Sequence, residues 1–441
     1  MHWSGPLRDQ GKGGRLMDGP GRGRQSRYRV TAALATAVVA APALAACGAS
    51  TAGGITINVY YAPEQHFQQV VDDCNKQADG KYTIVYTKAP RDSDGEREQK
   101  VRRLAAKDPS IDVVGLDVTW TPEFASAGWI EPWTGENKAE AEKDVLAGPL
   151  ASARYDGQLY AATKNTNVEL LWYRADLVSQ PPSTWDEMIS QAQQLKSQGK
   201  PYQVAFKGAQ YEGLVVAFNT LTASSGGTIV SPDGSKATVD EGAVQALGTL
   251  KKFATSGVTS ANMSNAHEQE AALQMENGDA AFEINWPYVY ASMQQDKPDL
   301  AKNFKWARYP SAVAGQPSKV TIGGYNLAVS SFSPHKAEAF SAALCLRSAK
   351  SQEYSAVNDG VPPTISSAYD SAEMAKAYPM KDTIKDELET AVTRPVTPAY
   401  QNASIAIQNA ISPPASIQPQ QTADAMRKSI QEALDSKGVL P

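Results

Sequence analysis

The sequence predicts an α/β protein built of two lobes. From Ile55 onward, stretches with the apolar period of a strand alternate with stretches that have the period of a helix. About 395 residues follow the N-terminal leader, more than one hydrophobic core usually organises. Three segments read as connections between lobes: the stretch from Tyr160 to Tyr173 that changes from polar to apolar, the Gly323-Gly324 stretch, and Gly360-Val361-Pro362-Pro363.

The first 46 residues read as a targeting segment. Arg8, Lys12, Arg15, Arg22, Arg24, Arg27 and Arg29 precede an apolar run from Val30 to Ala46 that is too short and alanine-rich for a stable span. The length of this leader suggests Met17 as an alternative start. The leader's seven Lys/Arg and two Asp/Glu carry a net +5, so the formal −5 of the whole chain becomes −10 without it. An acidic protein argues against nucleic acid as a partner and suits a neutral ligand. Besides Cys47 there are only Cys74 and Cys345. An even pair in an oxidising compartment suggests one disulfide, with two unpaired buried thiols as the alternative. Four scattered histidines and no cysteine cluster leave no material for a zinc site, and no cofactor is expected.

Gly48 to Gly54 is small and flexible, as a tether requires. Ile55 to Tyr61 alternates as a strand, Glu64 to Asp79 reads as an amphipathic helix closed by Gly80, and Tyr82 to Thr87 alternates again, implying a parallel pair. A charged helix near 96–107 leads into the strand Ile111 to Asp117. Its carboxylate lies at the strand's carboxyl end, where open α/β sheets collect ligands. A loop or capping carboxylate would look the same. Thr121 is expected to cap the next helix, with Pro122 in its first position. Tyr160 to Tyr173 changes from polar to apolar along what reads as one extended strand, placing Asn165 and Asn167 at a cleft. Asn is equally at home in turns.

Ser183-Thr184 caps a helix over 185–197, Tyr202 to Phe206 is the next strand, and the following loop carries Tyr211 and Glu212 before a helix to Ser224. A hairpin is expected over 229–239 and a helix capped by Asp240. Glu268 opens the helix that leads into the most informative stretch, AALQMENGDAAFEINWPYVY. There a helix, an Asn-Gly turn and a buried strand end at Asn285-Trp286-Pro287. Pro287 removes an amide donor and holds Trp286 extended, so the indole leaves the strand in a fixed direction. A fixed Trp beside Glu283 and Asn285 suits a sugar, which offers a C–H face for stacking and a rim of hydroxyls. A core Trp at a strand end would read identically, and helix-dipole stabilisation alone would justify Glu268. Val320 to Val329 contains Gly323-Gly324, a break that admits a close backbone or ligand. Helices near 335–348 and 422–436 and a rigid Arg394-Pro395 segment complete the chain.

These residues together resemble a known family. The segments NTNVELLWYR, YEGLVVAFNT, EINWPYVY, VTIGGYNLAVS and RPVTPAY are similar to those of the extracellular solute-binding proteins of bacterial ABC importers, sugar-binding type, and most similar to the trehalose-binding lipoproteins of actinobacterial importers. Leu44-Ala45-Ala46-Cys47 resembles a lipobox, which implies cleavage before Cys47 and acylation of that cysteine. The resemblance implies a periplasmic-binding-protein-like fold of two α/β lobes joined by a three-crossing hinge, with the ligand in the cleft. A first lobe would comprise 55–165 with 326–360, a second 166–325 with 361–441, and 47–54 the lipidated tether. Cys74 and Cys345 then share a lobe, consistent with one bridge. Carried over by position, the sugar ligands fall on Asp117, Asn167, Glu268, Trp286 and Arg394, with backbone contact near Gly323 and Gly324. Glu64, Tyr211, Glu212, Asn285 and Tyr325 follow on the cleft rim.

The resemblance further implies a monomer anchored by lipid to the extracellular face of the cell membrane. It would close on a disaccharide by hinge motion and dock on membrane permease subunits. Paired carboxylates beside a Trp would also suit a secreted glycoside hydrolase, which would release monosaccharide where a binding protein returns the disaccharide intact.

Overall fold

The computed structural model describes residues 54–436. The leader, Cys47 and the tether up to residue 53 lie outside the described residues.

Eleven strands follow in order: β1 (Ile55–Tyr61), β2 (Tyr82–Lys88), β3 (Val113–Asp117), β4 (Arg154–Tyr155), β5 (Gln158–Leu159), β6 (Ala162–Asn167), β7 (Leu170–Arg174), β8 (Gln203–Ala205), β9 (Ala280–Asn285), β10 (Phe304–Ala307) and β11 (Gly323–Val329). One sheet has the order β2-β1-β3-β11-β6, a second β10-β7-β9-β8, and β4-β5 is a small hairpin. The expected parallel pairing of β1 with β2 is present, and β3 joins β1 in parallel on its other side. Strands β11 and β6 then run antiparallel.

Each sheet has its own core. Val59, Val113, Leu327, Phe67 and Leu346 pack in the first, and Leu171, Phe282, Leu247, Met188 and Ile407 in the second. Between the two cores the chain crosses three times. The first crossing lies between β6 and β7, the second enters β11, and the third runs through the helix Ala349–Asp359, whose Ala356 already packs in the second core. This is the two-lobed α/β architecture expected from the sequence.

Several local readings differ. Residues 160–173 form two strands in different sheets rather than one, because Val168 and Glu169 carry the chain from one lobe to the other. The first helix spans Phe67–Ala78, so Glu64 precedes it and its side chain turns into the protein. Thr121 does not cap: Trp120 takes that position and the buried Thr121 hydroxyl has no hydrogen-bond partner.

Cys74 and Cys345 form a disulfide between the helices Phe67–Ala78 and Lys336–Leu346, both packed on the first sheet, across 271 residues of sequence. Closing so long a loop restricts the unfolded chain. Replacing both cysteines by serine is expected to lower the unfolding free energy by about 2–4 kcal/mol. Thermal melts with and without reductant check this: wild type should fall on reduction to the serine variant's midpoint, which itself should not move.

No helix among the described residues is long and apolar enough to cross a membrane. No group of three or more His, Cys, Asp or Glu among them is arranged to hold a metal ion.

Candidate functional site

The carboxyl ends of β1, β3 and β6, the start of β11 and the end of β9 converge on a cavity of about 660 Å³ between the two sheets. That volume lies within the usual range for small-molecule sites. The lobe of the first sheet takes in β6 to Asn167 and β11 from Gly323, and so reaches past the expected limits of 165 and 326. To the cavity it contributes Tyr61, Glu64, Asp117, Asn165, Asn167 and Tyr325, and the second lobe Tyr211, Glu212, Glu268, Trp286, Tyr288 and Arg394. Gly323 and Gly324 line it where the chain crosses.

Trp286 follows the last residue of β9 and is half-buried. Its amide donates to Asn285 Oδ1 at 2.8 Å, and its ring lies so close to Gly323 that a Cβ there would stand 3.0 Å from Cη2. Behind the ring, Lys207 Nζ sits 5.8 Å from the indole centroid and pairs with Glu169 in a fully buried ion pair. The indole thus packs against a glycine, with a buried cation close to its ring.

Arg394 ties the walls together. Its guanidinium, 4% exposed, donates through Nη2 to Asp117 Oδ1 at 2.9 Å and through Nη1 to Glu212 Oε1 at 2.6 Å. Asp117 belongs to the first lobe and Glu212 to the second, so one cation bridges both. Asp117 Oδ1 also accepts from the Thr119 amide and hydroxyl, while Oδ2 accepts nothing among the described residues. Glu212 opens the helix Glu212–Ser224, where the helix dipole favours an anion, and accepts from Tyr400 and Ser404 as well. Burial raises its pKa, against the lowering influence of Arg394 and those hydroxyls. Burial also opposes the charge on Arg394, but Asp117, Tyr400 and Glu212 outweigh it and keep the guanidinium protonated.

Glu64 accepts from the Tyr61 hydroxyl, from Asn165 Nδ2 at 3.2 Å and from the buried Lys164 at 3.3 Å. Asn165 spends its other amide atom on the Tyr325 amide at 2.9 Å. Tyr325 donates its hydroxyl to Glu96 at 2.7 Å and so offers the cavity chiefly its ring. Gly324 has φ +122°, and a Cβ would fall 2.4 Å from the Asn165 carbonyl oxygen, so only glycine fits. Its own carbonyl accepts from the Val118 amide at 3.1 Å.

Polar capacity is left over on these walls. Asn167 Oδ1, the hydroxyls of Tyr211 and Tyr288, and Arg394 Nε are buried without a protein partner. Buried polar groups are normally satisfied, so four such atoms around one cavity are the chemistry of a site that completes its hydrogen bonds with a polar ligand.

A family comparison fits this geometry. Residues 62–353 match the model of the bacterial extracellular solute-binding proteins. The chain belongs to this family. A probable ABC transporter-binding protein of Deinococcus radiodurans is 30% identical over 370 residues, covering 78% of this chain and 85% of the relative. The diacetylchitobiose binding protein DasA of Streptomyces coelicolor is 24% identical over 243 residues, 53% of this chain and 55% of that protein. Among solved structures, maltose-bound MalE3 of T. maritima superposes with a TM-score of 0.77 at 26% identity, covering 87% of this chain and all of that one. The GacH receptor of Streptomyces glaucescens, at 21% identity and TM-score 0.77 over 87% of this chain and 99% of that one, shares the fold.

In this solute-binding protein the cavity brings together eleven of the twelve residues expected from the sequence: Asp117, Asn167, Glu268, Trp286, Arg394, Gly323, Gly324, Glu64, Tyr211, Glu212 and Tyr325. Asn285, expected on the cleft rim, is the exception. It is fully buried and does not line the cavity, because its amide donates to the Glu268 carbonyl at 2.9 Å and to Glu283 at 2.7 Å, while its oxygen accepts from the Trp286 amide. It positions Glu268 and Trp286 rather than facing the cleft. Glu283 is likewise fully buried behind the wall. Tyr61 and the buried lysines Lys164 and Lys207 were not expected. Tyr61 was reachable by the rule that found Asp117, since it ends a neighbouring strand. Lys164 stands in the polar run Thr163 to Asn167, where nothing local marks a lysine as buried.

Burial pushes the pKa of Glu283 up to about 8, reinforced by Glu276 and opposed by the Asn285 amide and Lys207. The folded value lies above the ordinary 4.5, so the native state holds the proton more tightly and stability falls as pH rises from about 4.5 to about 8. Glu283→Gln removes this dependence. Relative to wild type, the variant should gain stability between pH 5 and pH 8 by up to about 1.4 kcal/mol per unit. Urea titrations across that range measure the difference, and parallel curves for the two proteins would refute the assignment.

Proposed function

We propose that the protein is the extracellular sugar-capture component of an ABC importer, held on the outer face of the cell membrane by a lipid on Cys47. It acts as a monomer, takes up a neutral disaccharide between its lobes and delivers it to membrane permease subunits. Trehalose is the sugar we assign. The observation that carries this reading is the cavity wall itself: an indole set among acids, amides and an arginine, with polar atoms left over on both lobes. A pyranose satisfies both halves, its C–H face on Trp286 and its hydroxyls on Asp117, Asn167, Glu268 and Arg394. Arg394 already spans the lobes, so a ligand that hydrogen-bonds to it and to Asp117 favours the closed arrangement. Binding without chemistry fits the family, whose members are solute-binding proteins.

Maltose, a maltodextrin or another glycoside is the second reading, favoured by the likeness to maltose-bound MalE3. A site of buried polar groups rejects analogues that leave those groups unpaired, so the sugars separate by affinity. Calorimetric titration with trehalose, maltose and sucrose tests the proposal. Trehalose should bind at least about tenfold more tightly than the others, a difference of about 1.4 kcal/mol. Tighter binding of maltose would replace trehalose in the assignment, and silence from all three would end the sugar reading. Recovery of the bound disaccharide intact after prolonged incubation excludes hydrolysis.

A further inference from the structure

The cavity carries more negative charge than its own cations balance. Glu64, Asp92, Asp117, Glu212, Glu268 and Glu270 line it, against Arg91 and Arg394. Lys164 neutralises Glu64 from behind at 3.3 Å, and Lys207 is already committed to Glu169. Asp92 accepts from the Gly95 amide at the rim, where Arg91 is exposed, and Glu270 lies 3.6 Å from His267. Deeper in, one guanidinium is shared by two carboxylates, Asp117 and Glu212, and Glu268 has no ion-pair partner among the described residues. The interior wall therefore holds an excess of acid.

One spot concentrates it. The Tyr211 hydroxyl and Glu268 Oε1 lie on the same side of Gly213, where a Cβ would stand within 3 Å of each oxygen. Tyr211 is nine-tenths buried and its hydroxyl has no hydrogen-bond partner. Burial first, then the Glu268 carboxylate, raises its pKa well above 10, so it stays a neutral phenol beside the acid. A carboxylate and a phenol oxygen together accept from a multiple donor, and an ammonium group has three N–H bonds to give.

We infer that the cleft selects by charge: a glycoside carrying a protonated amino group, seated between Glu268 and the Tyr211 hydroxyl, binds more tightly than its neutral parent, and an anionic glycoside is excluded. This rests on the reading of the cleft as a sugar site. A charge-assisted hydrogen bond is about twice as strong as the neutral one it replaces, whereas a phosphate or carboxylate entering here meets like charge in a site sheltered from water.

Calorimetry at pH 7 with trehalose and maltose tests it, using the same sugars with one hydroxyl replaced by an amine at carbon 2, 4 or 6, and the sugars phosphorylated at carbon 6. At least one amine position should improve on its parent by about tenfold, and the phosphates should bind at least about a hundredfold more weakly. In Glu268→Gln the ratio of amine to parent should fall to about one, and Glu268→Asp should restore part of it. A phosphorylated sugar within about threefold of its parent, or no amine position exceeding its parent, overturns the inference. The neutral parents report separately on the sugar reading. If neither binds, shifts in melting temperature across the same derivatives decide the charge rule: stabilisation by amines alone upholds it, and any other pattern overturns it.

Discussion

Trp286→Ala is expected to weaken disaccharide binding at least about a hundredfold while leaving the melting temperature within a few degrees of wild type. The indole belongs to neither hydrophobic core; it is half-buried at the end of β9, between Gly323 and the cavity. Removing it therefore leaves the packing of Ile284 and Val289 on either side intact. A sugar face on an indole buries on the order of 100 Å² of apolar surface at about 25 cal/mol per Å². With the loss of fixed geometry the total reaches about 3 kcal/mol, or about a hundredfold in affinity. Truncation also uncovers the Lys207–Glu169 pair beneath the ring, and water reaching it would weaken the support of the wall. Calorimetry gives the affinity and a thermal melt the fold. Unchanged affinity would mean that the sugar stacks elsewhere, and a collapsed melt would mean that Trp286 is structural.

What the sequence revealed and what it concealed divide along one physical line. Features set by local chemistry were legible. β1 has the bounds its alternation marks, the helix Trp185–Ser197 starts at its Thr184 cap, and Asp117 ends β3 at the crevice. Trp286 follows the end of β9 and lines the cavity, as its position between a buried strand and a proline suggested. Features decided by distant partners were not legible. Arg394 meets Asp117 from 277 positions away and Glu212 from 182, and nothing in RPVTPAY says which acids it will bridge. Asn285 was indistinguishable from a rim residue until Glu268 and Glu283 took its amide. The helix Tyr400–Ile411 escaped notice because its buried face includes Gln401, Ser404 and Gln408, whose polarity interrupts the apolar stripe. Two of them serve the site: Ser404 donates to Glu212, as Tyr400 does, and Gln408 donates to Ser404. Periodicity fails where a helix face is spent on holding a charge.

Arg394→Met is the second large effect, and it tests the bridge directly. Methionine keeps much of the volume but leaves Asp117 and Glu212 as neighbouring acids with no cation between them. Breaking a buried pair by removing one partner costs about 3–5 kcal/mol, because the stranded charge stays desolvated. Glu212 suffers most. Burial already raises its pKa, and without the guanidinium only Tyr400 and Ser404 oppose that rise. A carboxyl whose folded pKa exceeds its unfolded one destabilises the protein as pH climbs through the interval between them. The variant should therefore approach wild-type stability in mild acid and fall away from it toward neutrality, a trend that urea titrations at several pH values resolve. Adding Glu212→Gln should return part of the lost stability, since an amide needs no counter-ion. Sugar affinity should not return with it, because Asp117 and the ligand hydroxyls still lack their shared donor. A single variant that keeps both its neutral-pH stability and its affinity would show that the three charges act independently, and that the lobes are held together by something other than this bridge.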